Sequence, residues 1–276
     1  MNNKISVIMG TYNCSDTIKD AINSLIQQTY KDWELIVCDD CSIDNTYAIL
    51  EEFRREYPDR IILLKNKENS RLAFSLNECL KYVTGHFVAR MDGDDVSAPE
   101  RFEKQVRFLR ENKNIDLVGT AMQRFDSGVL ADIIYPVEHP TRYTLRNRIP
   151  FNHATIMTYK YVYDTLGGYT VAKRTMRAQD YDLWFRFYHN DFNGSNILEP
   201  LYYVRENESA IKRRTFSVRF NAYKTTLIGF HLLNYPIQWY IRPTILMIFK
   251  SLLPVKAVLI YRKFQHLIYE SKKKNN

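Results

Sequence analysis

The sequence predicts an α/β fold with a mostly parallel central sheet flanked by helices, and a helical extension at the C-terminus. Strand-like and helix-like segments alternate over residues 4–91, and parallel strands in one sheet require such helical crossovers. From residue 212 onward the chain is instead apolar and basic, with helical patterning. The length of 276 residues, with 45% hydrophobic and 25% charged residues, is typical of a globular protein.

Four strands and three helices are predicted in the first part of the chain. Apolar runs predict the strands at 4–9, 33–38, 60–64 and 86–91. Apolar residues at helical spacing, marked by Ile18, Leu50 and Leu76, predict a helix after each of the first three strands. Ser15 and Ser42 are predicted as the N-caps of the first two helices.

Further elements are predicted in the second part of the chain. The stretch Ser97-Ala98-Pro99-Glu100 has the form of a capping box with an early proline, and it predicts a helix that continues through Leu109. Gln179 and Asp180 begin a later helix. Strands are predicted at 115–120, 151–158 and 197–204, a turn between further strands at 126–128, and a break at 167–168.

Polar side chains follow the strands at the edge of the sheet where open α/β folds bind ligands. They are Thr11-Tyr12-Asn13, Asp39-Asp40, the stretch 66–69, and Asp92-Gly93-Asp94-Asp95. Carboxylates repel a diphosphate unless a divalent cation bridges them, and Mg²⁺ or Mn²⁺ is usually held by one or two carboxylates plus substrate phosphates. Since the sequence contains neither GxGxxG nor GxxxxGK[ST], dinucleotide and P-loop chemistry are disfavoured.

Four motifs in the same order and spacing resemble the inverting glycosyltransferases of family 2, which have the GT-A fold. They are Ser6–Asn13, Val37–Thr46, Arg90–Gln105 and Gln179–Trp184. The resemblance covers residues 4–211 and includes bacterial enzymes of capsule, lipopolysaccharide and exopolysaccharide synthesis. It implies a nucleotide-sugar-binding half at 1–98, an acceptor-binding half at 99–211, and a separate basic, apolar helical tail at 212–276.

The resemblance also implies roles in the transfer of a sugar from a nucleotide diphosphate donor, expected to be a UDP-sugar. Asp180 is implied as the catalytic base, and Asp94 with Asp92 as the ligands of Mn²⁺ or Mg²⁺. The implied donor-binding residues are Thr11, Tyr12, Asn13, Asp39, Asp40, Arg71, Asp92 and Gly93, with Asp39 accepting a hydrogen bond from uracil. A glycan or lipid-linked saccharide is the expected acceptor, in surface polysaccharide synthesis.

Contacts to the acceptor are expected at four residues: His153, Gly168, Tyr169 and Trp184. A structural role is the alternative for His153 and for Tyr169, because a lone histidine or tyrosine is more often part of a core than of a site.

Three positions depart from the family pattern. Gln179 replaces a glutamate before the base, and Asn207 replaces a histidine that completes the metal site in relatives, so we expect fewer protein ligands for the metal. Arg71 replaces a glycine, and it either contacts the phosphates or the sugar or is a solvated surface residue.

The tail carries most of the excess positive charge. Residues 205–276 hold 14 of the 39 Lys and Arg but 3 of the 31 Asp and Glu, a net charge of +11. A basic, apolar segment favours an anionic membrane surface; nucleic acid is the other candidate for such charge, and we do not predict it as a partner. The apolar run 243–261 contains Lys250, Pro254 and Lys256, which favours helices that lie in the membrane interface over a spanning helix.

Packing of the tail against the body, or against a second subunit in a homodimer, is the alternative use of these helices. Lys212-Arg213-Arg214 is expected near the donor phosphates or near lipid headgroups.

The four cysteines predict free thiols in a reducing compartment. Cys38 and Cys41 have CxxC spacing, but a zinc site needs a second pair or nearby histidines, and the two intervening carboxylates disfavour the thiolates of a redox pair. No signal peptide pattern precedes the first strand. We therefore expect a cytoplasmic protein, peripherally associated with the inner face of the cell membrane.

Two other functions fit parts of the sequence. A sugar-nucleotide nucleotidyltransferase shares a parallel sheet and metal carboxylates, but it needs a glycine-rich basic first loop, which Gly10–Cys14 is not. A non-catalytic membrane partner that keeps the fold is favoured by Gln179 and Asn207. The retained carboxylates disfavour it: Asp39, Asp92, Asp94 and Asp180.

Overall fold

The computed structural model describes residues 3–126, 129–205 and 215–252. These residues form a nine-stranded sheet with helices on both faces. The strands are β1 (Ile5–Thr11), β2 (Trp33–Asp39), β3 (Ile61–Lys65), β4 (Phe87–Arg90), β5 (Val96–Ser97), β6 (Leu117–Asp126), β7 (Val129–Ile134), β8 (Met157–Tyr159) and β9 (Gly194–Arg205). The α-helices are α1 (Ile18–Ile26), α2 (Thr46–Glu56), α3 (Leu72–Leu80), α4 (Arg101–Glu111), α5 (Lys160–Leu166), α6 (Gln179–His189), α7 (Phe216–Leu232) and α8 (Ile241–Leu252).

The sheet has a parallel half and a mixed half. Its order is β3-β2-β1-β4-β8-β6-β9-β5, and β7 pairs with β6. The first four strands in sequence pair in parallel, whereas β8 is antiparallel to β4 and β6, and β6 is parallel to β9. The predicted α/β fold is confirmed, and every antiparallel pairing in the described residues involves a strand after β4.

Side chains of the central strands alternate between two cores. Ile8 packs in the core that contains α3 and α6, while its neighbours Val7 and Met9 pack in the core that contains α1 and α4. This period of two is what a strand buried on both faces produces. Both cores therefore hold β1 and its neighbouring strands rigidly. The loops at the ends of these strands consequently have fixed positions.

The predicted helix caps differ from the observed ones. The helix after β1 begins at Ile18, so Thr17 rather than Ser15 occupies its N-cap position. In the turn before it, Cys14 O accepts hydrogen bonds from the backbone N–H groups of Thr17 and Ile18. Ser42 does not cap α2 either: its hydroxyl accepts a hydrogen bond from the backbone N–H of Asn13, 3.0 Å away. Tertiary contacts between loops thus take the place of a local cap.

The second half contains larger differences. Ser97, predicted in a capping box, lies in β5 and pairs with Tyr202 of β9. The predicted strand at 151–158 is wrong over most of its length, since a 3₁₀ turn occupies His153–Thr155 and β8 begins at Met157. Helix α5 was not predicted, although it ends at the predicted glycine break, where Gly167 is left-handed with φ of 66°.

The tail is helical over its described part, residues 215–252, as predicted. Helix α7 packs against α6, and Phe230 lies in the core beside Phe185, an arrangement that stabilises the fold by about 1.5–3 kcal/mol for one buried aromatic side chain. Thr225 Oγ1 donates to Arg174 O at 2.9 Å, which joins α7 to the segment before α6. Among the described residues, no helix has both the length and the apolar character that crossing a membrane requires.

Candidate functional site

Three loops of the parallel half meet at the carboxyl edge of the sheet. β1 ends at Thr11 and β2 at Asp39, and these residues lie opposite each other, with Lys65 of β3 opposite Asp39. Since parallel strands all end at this edge, the loops after them line one crevice. The convergence expected from the strand ends is present in the structure.

Buried polar atoms at this edge lack partners. Asp39 is 0% exposed; its Oδ2 accepts from the backbone N–H of Ser42 at 3.1 Å, while its Oδ1 has no hydrogen-bond partner among the described residues. The same holds for Thr11 Oγ1 and for Asn69 Oδ1 within the described part of the chain. A buried acceptor without a donor costs about 1–3 kcal/mol, so the edge is suited to a ligand that donates hydrogen bonds.

Asp40 differs from its neighbour because the chain satisfies its carboxylate. Its Oδ1 accepts from Asn66 Nδ2 at 2.7 Å and from the backbone N–H of Ser70 at 2.8 Å, and its Oδ2 accepts from the backbone N–H of Arg71 at 2.8 Å. Asp40 therefore fixes the loop between β3 and α3. The structure brings it to the predicted edge but turns its oxygens toward the protein.

Arg71 adopts a backbone conformation that suits glycine. Its φ of 74° and ψ of 164° lie in a region that is essentially restricted to glycine. The two hydrogen bonds from Ser70 and Arg71 to Asp40 hold this conformation. The side chain is exposed, and its guanidinium makes no hydrogen bond or ion pair with the residues described here.

The loop after β1 is also constrained. Asn13 is left-handed with φ of 54°, and its Oδ1 accepts from the backbone N–H of Ile43 at 3.0 Å, whereas Tyr12 stays 43% exposed beside it. Gly93 faces this loop: a Cβ at that position would lie 2.8 Å from Thr11 Cγ2. The close approach requires glycine, and its purpose is contact between loops.

The acidic cluster follows β4. Asp92, Asp94 and Asp95 place carboxylate oxygens within 4.8 Å of one another. Burial, reinforced by the charge of Asp92, raises the pKa of Asp94; burial and both neighbouring carboxylates raise the pKa of Asp95 well above its usual value. A divalent cation would relieve this repulsion, and oxygen ligands are those that Mg²⁺ and Mn²⁺ prefer, so the cluster fits the predicted metal.

Two arginines and a tyrosine hold the acidic cluster in place through hydrogen bonds. Arg90 binds both carboxylate oxygens of Asp92, with Nη1 at 2.7 Å from Oδ2. Arg205 donates its backbone N–H to Asp95 Oδ1 at 2.9 Å and its Nε to Asp94 O at 3.1 Å. Tyr202 accepts from the backbone N–H of Asp92 at 3.1 Å.

The predicted base lies at the start of α6. Asp180 is in the first turn of α6, where burial raises its pKa, while a hydrogen bond from the backbone N–H of Tyr181 and the charge of Arg90 oppose that rise. A carboxylate with a raised pKa is a stronger base than an exposed aspartate. Gln179, which replaces the family's glutamate, accepts from the backbone N–H of Arg177 at 3.2 Å and so supports the loop before the base.

The predicted acceptor residues form a scaffold. His153 Nε2 lies 2.8 Å from Tyr169 Oη, and Tyr169 Oη lies 2.7 Å from Tyr163 Oη. Burial holds the pKa of His153 well below its usual value, and its ring is therefore neutral. Trp184 is 0% exposed and packs edge-on to His153, which places its ring in the core under the site.

Gly168 is likewise tied to the scaffold. Its carbonyl accepts from Arg186 Nη2 at 2.9 Å, and it borders a surface cavity of about 380 Å³ between α3 and α5, together with Asn77 and Lys81. Of the four predicted acceptor residues, the described structure thus shows three, His153, Tyr169 and Trp184, packed against one another.

Some residues of the site were not predicted. Arg90 begins one of the four motifs but had no predicted role, and Tyr202 lies in none of them; the signal for Arg90 was a charged residue at the end of an otherwise apolar strand. Asn69 was in an inspected stretch but had no assigned role. Asn207 and the stretch 212–214 lie outside the described residues.

Sequence comparison finds a family and several relatives. The model of glycosyl transferase family 2 matches residues 6–175. The putative glycosyltransferase EpsE of Bacillus subtilis (strain 168) is 48% identical over 215 residues, which are 78% of this chain and 77% of that protein. The UDP-Glc:alpha-D-GlcNAc-diphosphoundecaprenol beta-1,3-glucosyltransferase WfgD of Escherichia coli is 41% identical over 108 residues, 39% of this chain and 42% of that one.

Solved structures share the fold. S. aureus TarS 1-349 in complex with UDP-GlcNAc superposes with a TM-score of 0.69 at 21% identity, and the match covers 83% of this chain and 66% of that chain. The mannosyltransferase PcManGT from Pyrobaculum calidifontis, in complex with GDP-Man and Mn²⁺, has a TM-score of 0.61 at 17% identity and covers 97% and 81%. At such low identities the likeness concerns the fold alone, and it confirms the predicted GT-A architecture.

Proposed function

The chain belongs to glycosyl transferase family 2, and on that premise we propose that it is an inverting, metal-dependent enzyme that transfers a sugar from a UDP-sugar in surface polysaccharide synthesis. One observation carries this proposal: the buried Oδ1 of Asp39, which has no partner within the described part of the chain, lies at the same sheet edge as the acidic cluster. A nucleotide base and a metal-bound diphosphate are the ligand groups that fit these two features together.

Asp39 selects the base of the donor. A carboxylate oxygen needs a hydrogen-bond donor, and the imide N–H of uracil supplies one. Cytosine and adenine present a ring nitrogen acceptor at that edge, which repels a carboxylate. Guanine also has an N–H there, so GDP is the informative competitor. In this proposal Thr11, Tyr12 and Asn13 line the uridine, and Asp40 contributes by holding the loop of Arg71.

Asp94 and Asp92 hold Mn²⁺ or Mg²⁺, and Arg71 contacts the diphosphate. A divalent cation there supplies Lewis-acid stabilisation of the leaving UDP. Support comes from the mutual repulsion of the three carboxylates, and the solved PcManGT complex contains Mn²⁺. The guanidinium of Arg71 makes no hydrogen bond or ion pair with the residues that the structure describes, and Asp40 holds the backbone that carries it. A guanidinium is of a type that pairs with phosphate oxygens.

Asp180 takes the proton of the acceptor hydroxyl in a single displacement at the anomeric carbon. Its raised pKa suits a base. We propose residues 1–98 as the donor half and 99–211 as the acceptor half. The residues that shape the acceptor side are His153, Gly168, Tyr169 and Trp184. The name of the relative WfgD specifies a diphosphoundecaprenol-linked acceptor, which supports a lipid-linked saccharide here.

The tail brings the enzyme to the inner face of the cell membrane. Several large apolar side chains of the described tail are exposed, including Ile237 at 78% and, along α8, Ile241, Ile245, Ile248 and Phe249. In α8 they recur at helical spacing on one exposed stripe, and the tail carries a net charge of +11 from residue 205 on. An apolar stripe with excess positive charge fits the surface of an anionic bilayer.

A vesicle assay tests this part. The double variant Ile245→Glu/Ile248→Glu should lose cosedimentation with vesicles of one part phosphatidylglycerol to three parts phosphatidylcholine, while UDP binding persists. Vesicle binding equal to that of the unaltered protein would contradict the membrane surface. A protein that sediments as a dimer, and becomes monomeric in the variant, would instead identify the stripe as a subunit interface.

The function is tested with a panel of nucleotide sugars. The purified protein is expected to release UDP from a UDP-sugar in Mn²⁺, and to stop when the metal is chelated. Asp94→Ala should abolish the metal-dependent release. An Asp94→Ala protein with unaltered activity would overturn the metal assignment, and release of GDP or CDP in preference to UDP would overturn the donor assignment.

A further inference from the structure

Arg90 is a buried cation that binds the acidic cluster, and the proposed function assigns it no part in the reaction. It ends β4, with 3% of its surface exposed. Its two terminal nitrogens donate to the two carboxylate oxygens of Asp92. A bidentate pair of this kind fixes orientation as well as energy, so Asp92 is held in one position before any donor binds.

The backbone of Arg90 is fixed as firmly as its side chain. Its N–H donates to Ile156 O at 3.0 Å, and its carbonyl accepts from Arg101 Nη2 at 2.8 Å. The guanidinium therefore projects from an immobile strand end. The Asp92 carboxylate is therefore already held in place when a donor binds, and it does not need to reorganise on binding.

The charge of the same guanidinium also acts on groups of the acceptor side. Its positive charge acts on the carboxyl group of Asp180 and on the buried groups of His153 and Tyr169. Charges in a buried setting are poorly screened by salt and water. Arg90 thus binds the carboxylate of Asp92 and acts through its charge on the candidate base Asp180. The guanidinium keeps this charge at every working pH.

We propose that Arg90 is a positioning residue that serves both halves of the reaction, fixing Asp92 toward the donor and placing a permanent positive charge near Asp180. This inference rests on the function proposed above. The charge of Arg90, from β4, lowers the pKa of Asp180, and the charge of Asp180 raises the pKa values of Tyr169, in the segment after α5, and of Tyr181, which follows it in α6. Burial raises the pKa of Asp180, and Arg90 is the cation that opposes the rise.

Replacing Arg90 by lysine or by glutamine separates the effect of Arg90 on Asp92 from its effect on Asp180. Arg90→Lys keeps a positive charge but cannot bind both oxygens of Asp92 in parallel. It should weaken binding of UDP with Mn²⁺ by about tenfold, as expected for a lost charge-assisted hydrogen bond, and leave the acidic limb of the pH profile near its original position. Arg90→Gln should weaken binding similarly and also move the acidic limb to higher pH, because the ionised form of Asp180 loses its nearby cation.

The measurements are calorimetric titration of UDP at saturating Mn²⁺, and UDP release from the UDP-sugar between pH 5 and 9 with water as acceptor. Arg101→Lys is the matched control, because Arg101 is also 0% exposed and forms no ion pair with a carboxylate among the described residues. It should lower the melting temperature without moving the acidic limb. Circular dichroism checks that each variant is folded.

Each outcome decides the point. Arg90→Gln with unaltered UDP affinity and an unmoved acidic limb would overturn the proposal, and so would an equal shift in Arg101→Lys. If Arg90→Gln does not fold, Arg90→Lys decides by its affinity, and unaltered affinity overturns the role on Asp92. A wild-type protein that releases no UDP from any donor would refute the proposed function instead, which keeps the two failures distinct.

Discussion

The donor edge and the acceptor side of the crevice differ in how far the chain satisfies their buried polar groups. Asp39, Thr11 and Asn69 each keep a buried oxygen without a partner among the described residues. On the acceptor side His153 and Tyr169 bond to each other, although Trp184 Nε1 on the same side also has no partner among the described residues. Leaving a buried polar atom unpaired costs about 1–3 kcal/mol. Under the proposed function, the edge at Asp39 is therefore formed in advance for the donor, and the bonded pair of His153 and Tyr169 supports the acceptor side.

The largest effect should come from the base. Asp180→Asn is expected to lower UDP release by about 10²–10⁴-fold, the usual contribution of a general base, while UDP affinity stays near that of the wild type. Rate measurements and calorimetry on the same preparation check both. Asp182→Asn is the control, because Asp182 pairs with Arg174 and Arg186; it should lower thermal stability rather than the rate per folded molecule. Retained activity in Asp180→Asn would remove the base assignment.

The adjacent carboxylates Asp39 and Asp40 test the comparison directly. Asp39→Asn should weaken UDP binding by about 10- to 100-fold, the loss of a hydrogen bond to a charged group, without lowering the melting temperature. Asp40→Asn should lower the free energy of unfolding by about 1–3 kcal/mol, because buried donors lose their acceptor. Calorimetry and denaturant unfolding separate the two. If both substitutions act mainly on stability, the donor edge is not the preformed site inferred here.

Replacing Arg71 by glycine should raise the stability of the fold and weaken the binding of UDP. Arg71→Gly is expected to raise the free energy of unfolding by about 1 kcal/mol, since glycine adopts this conformation without strain. Arg71→Ala keeps the strain and should show no such gain. Both variants should lose about tenfold in UDP affinity, because each removes the guanidinium. Equal affinity in all three proteins would make Arg71 a surface residue, whatever the stability change.

The smallest expected effect concerns pH and the acceptor side. Burial holds the pKa of His153 below its unfolded value of about 6.5, so the unfolded chain takes up the proton first as the pH falls. This group therefore adds stability above that pH and loses it below, with a slope of at most about 1.4 kcal/mol per pH unit. His153→Gln should flatten the fall in unfolding free energy between pH 7 and 5. Identical slopes would show that the ring is not buried as described.

The parallel half was readable from the sequence because its signals are local. Buried apolar runs followed by helical spacing place β1–β4 and α1–α3, and polar residues at the strand ends follow from chain direction alone. The region 151–158 was misread because its apolar residues serve distant partners. Phe151 packs against Trp184 and approaches Gly194 closely, and a side chain can do this from an irregular segment before a 3₁₀ turn as well as from a strand.

Sequence alone determined the family resemblance, the sheet edge that carries the site, and the acidic cluster Asp92–Asp95, because these depend on residue order and spacing. Only the tertiary structure distinguished Asp39 from Asp40, since the loop after β3 satisfies one carboxylate and leaves an oxygen of the other free. It also decided that Arg90 pairs with Asp92 and that its charge opposes the rise in the pKa of Asp180. Hydrogen-bond satisfaction and buried charge are properties of the folded surroundings, and no pattern within one segment encodes them.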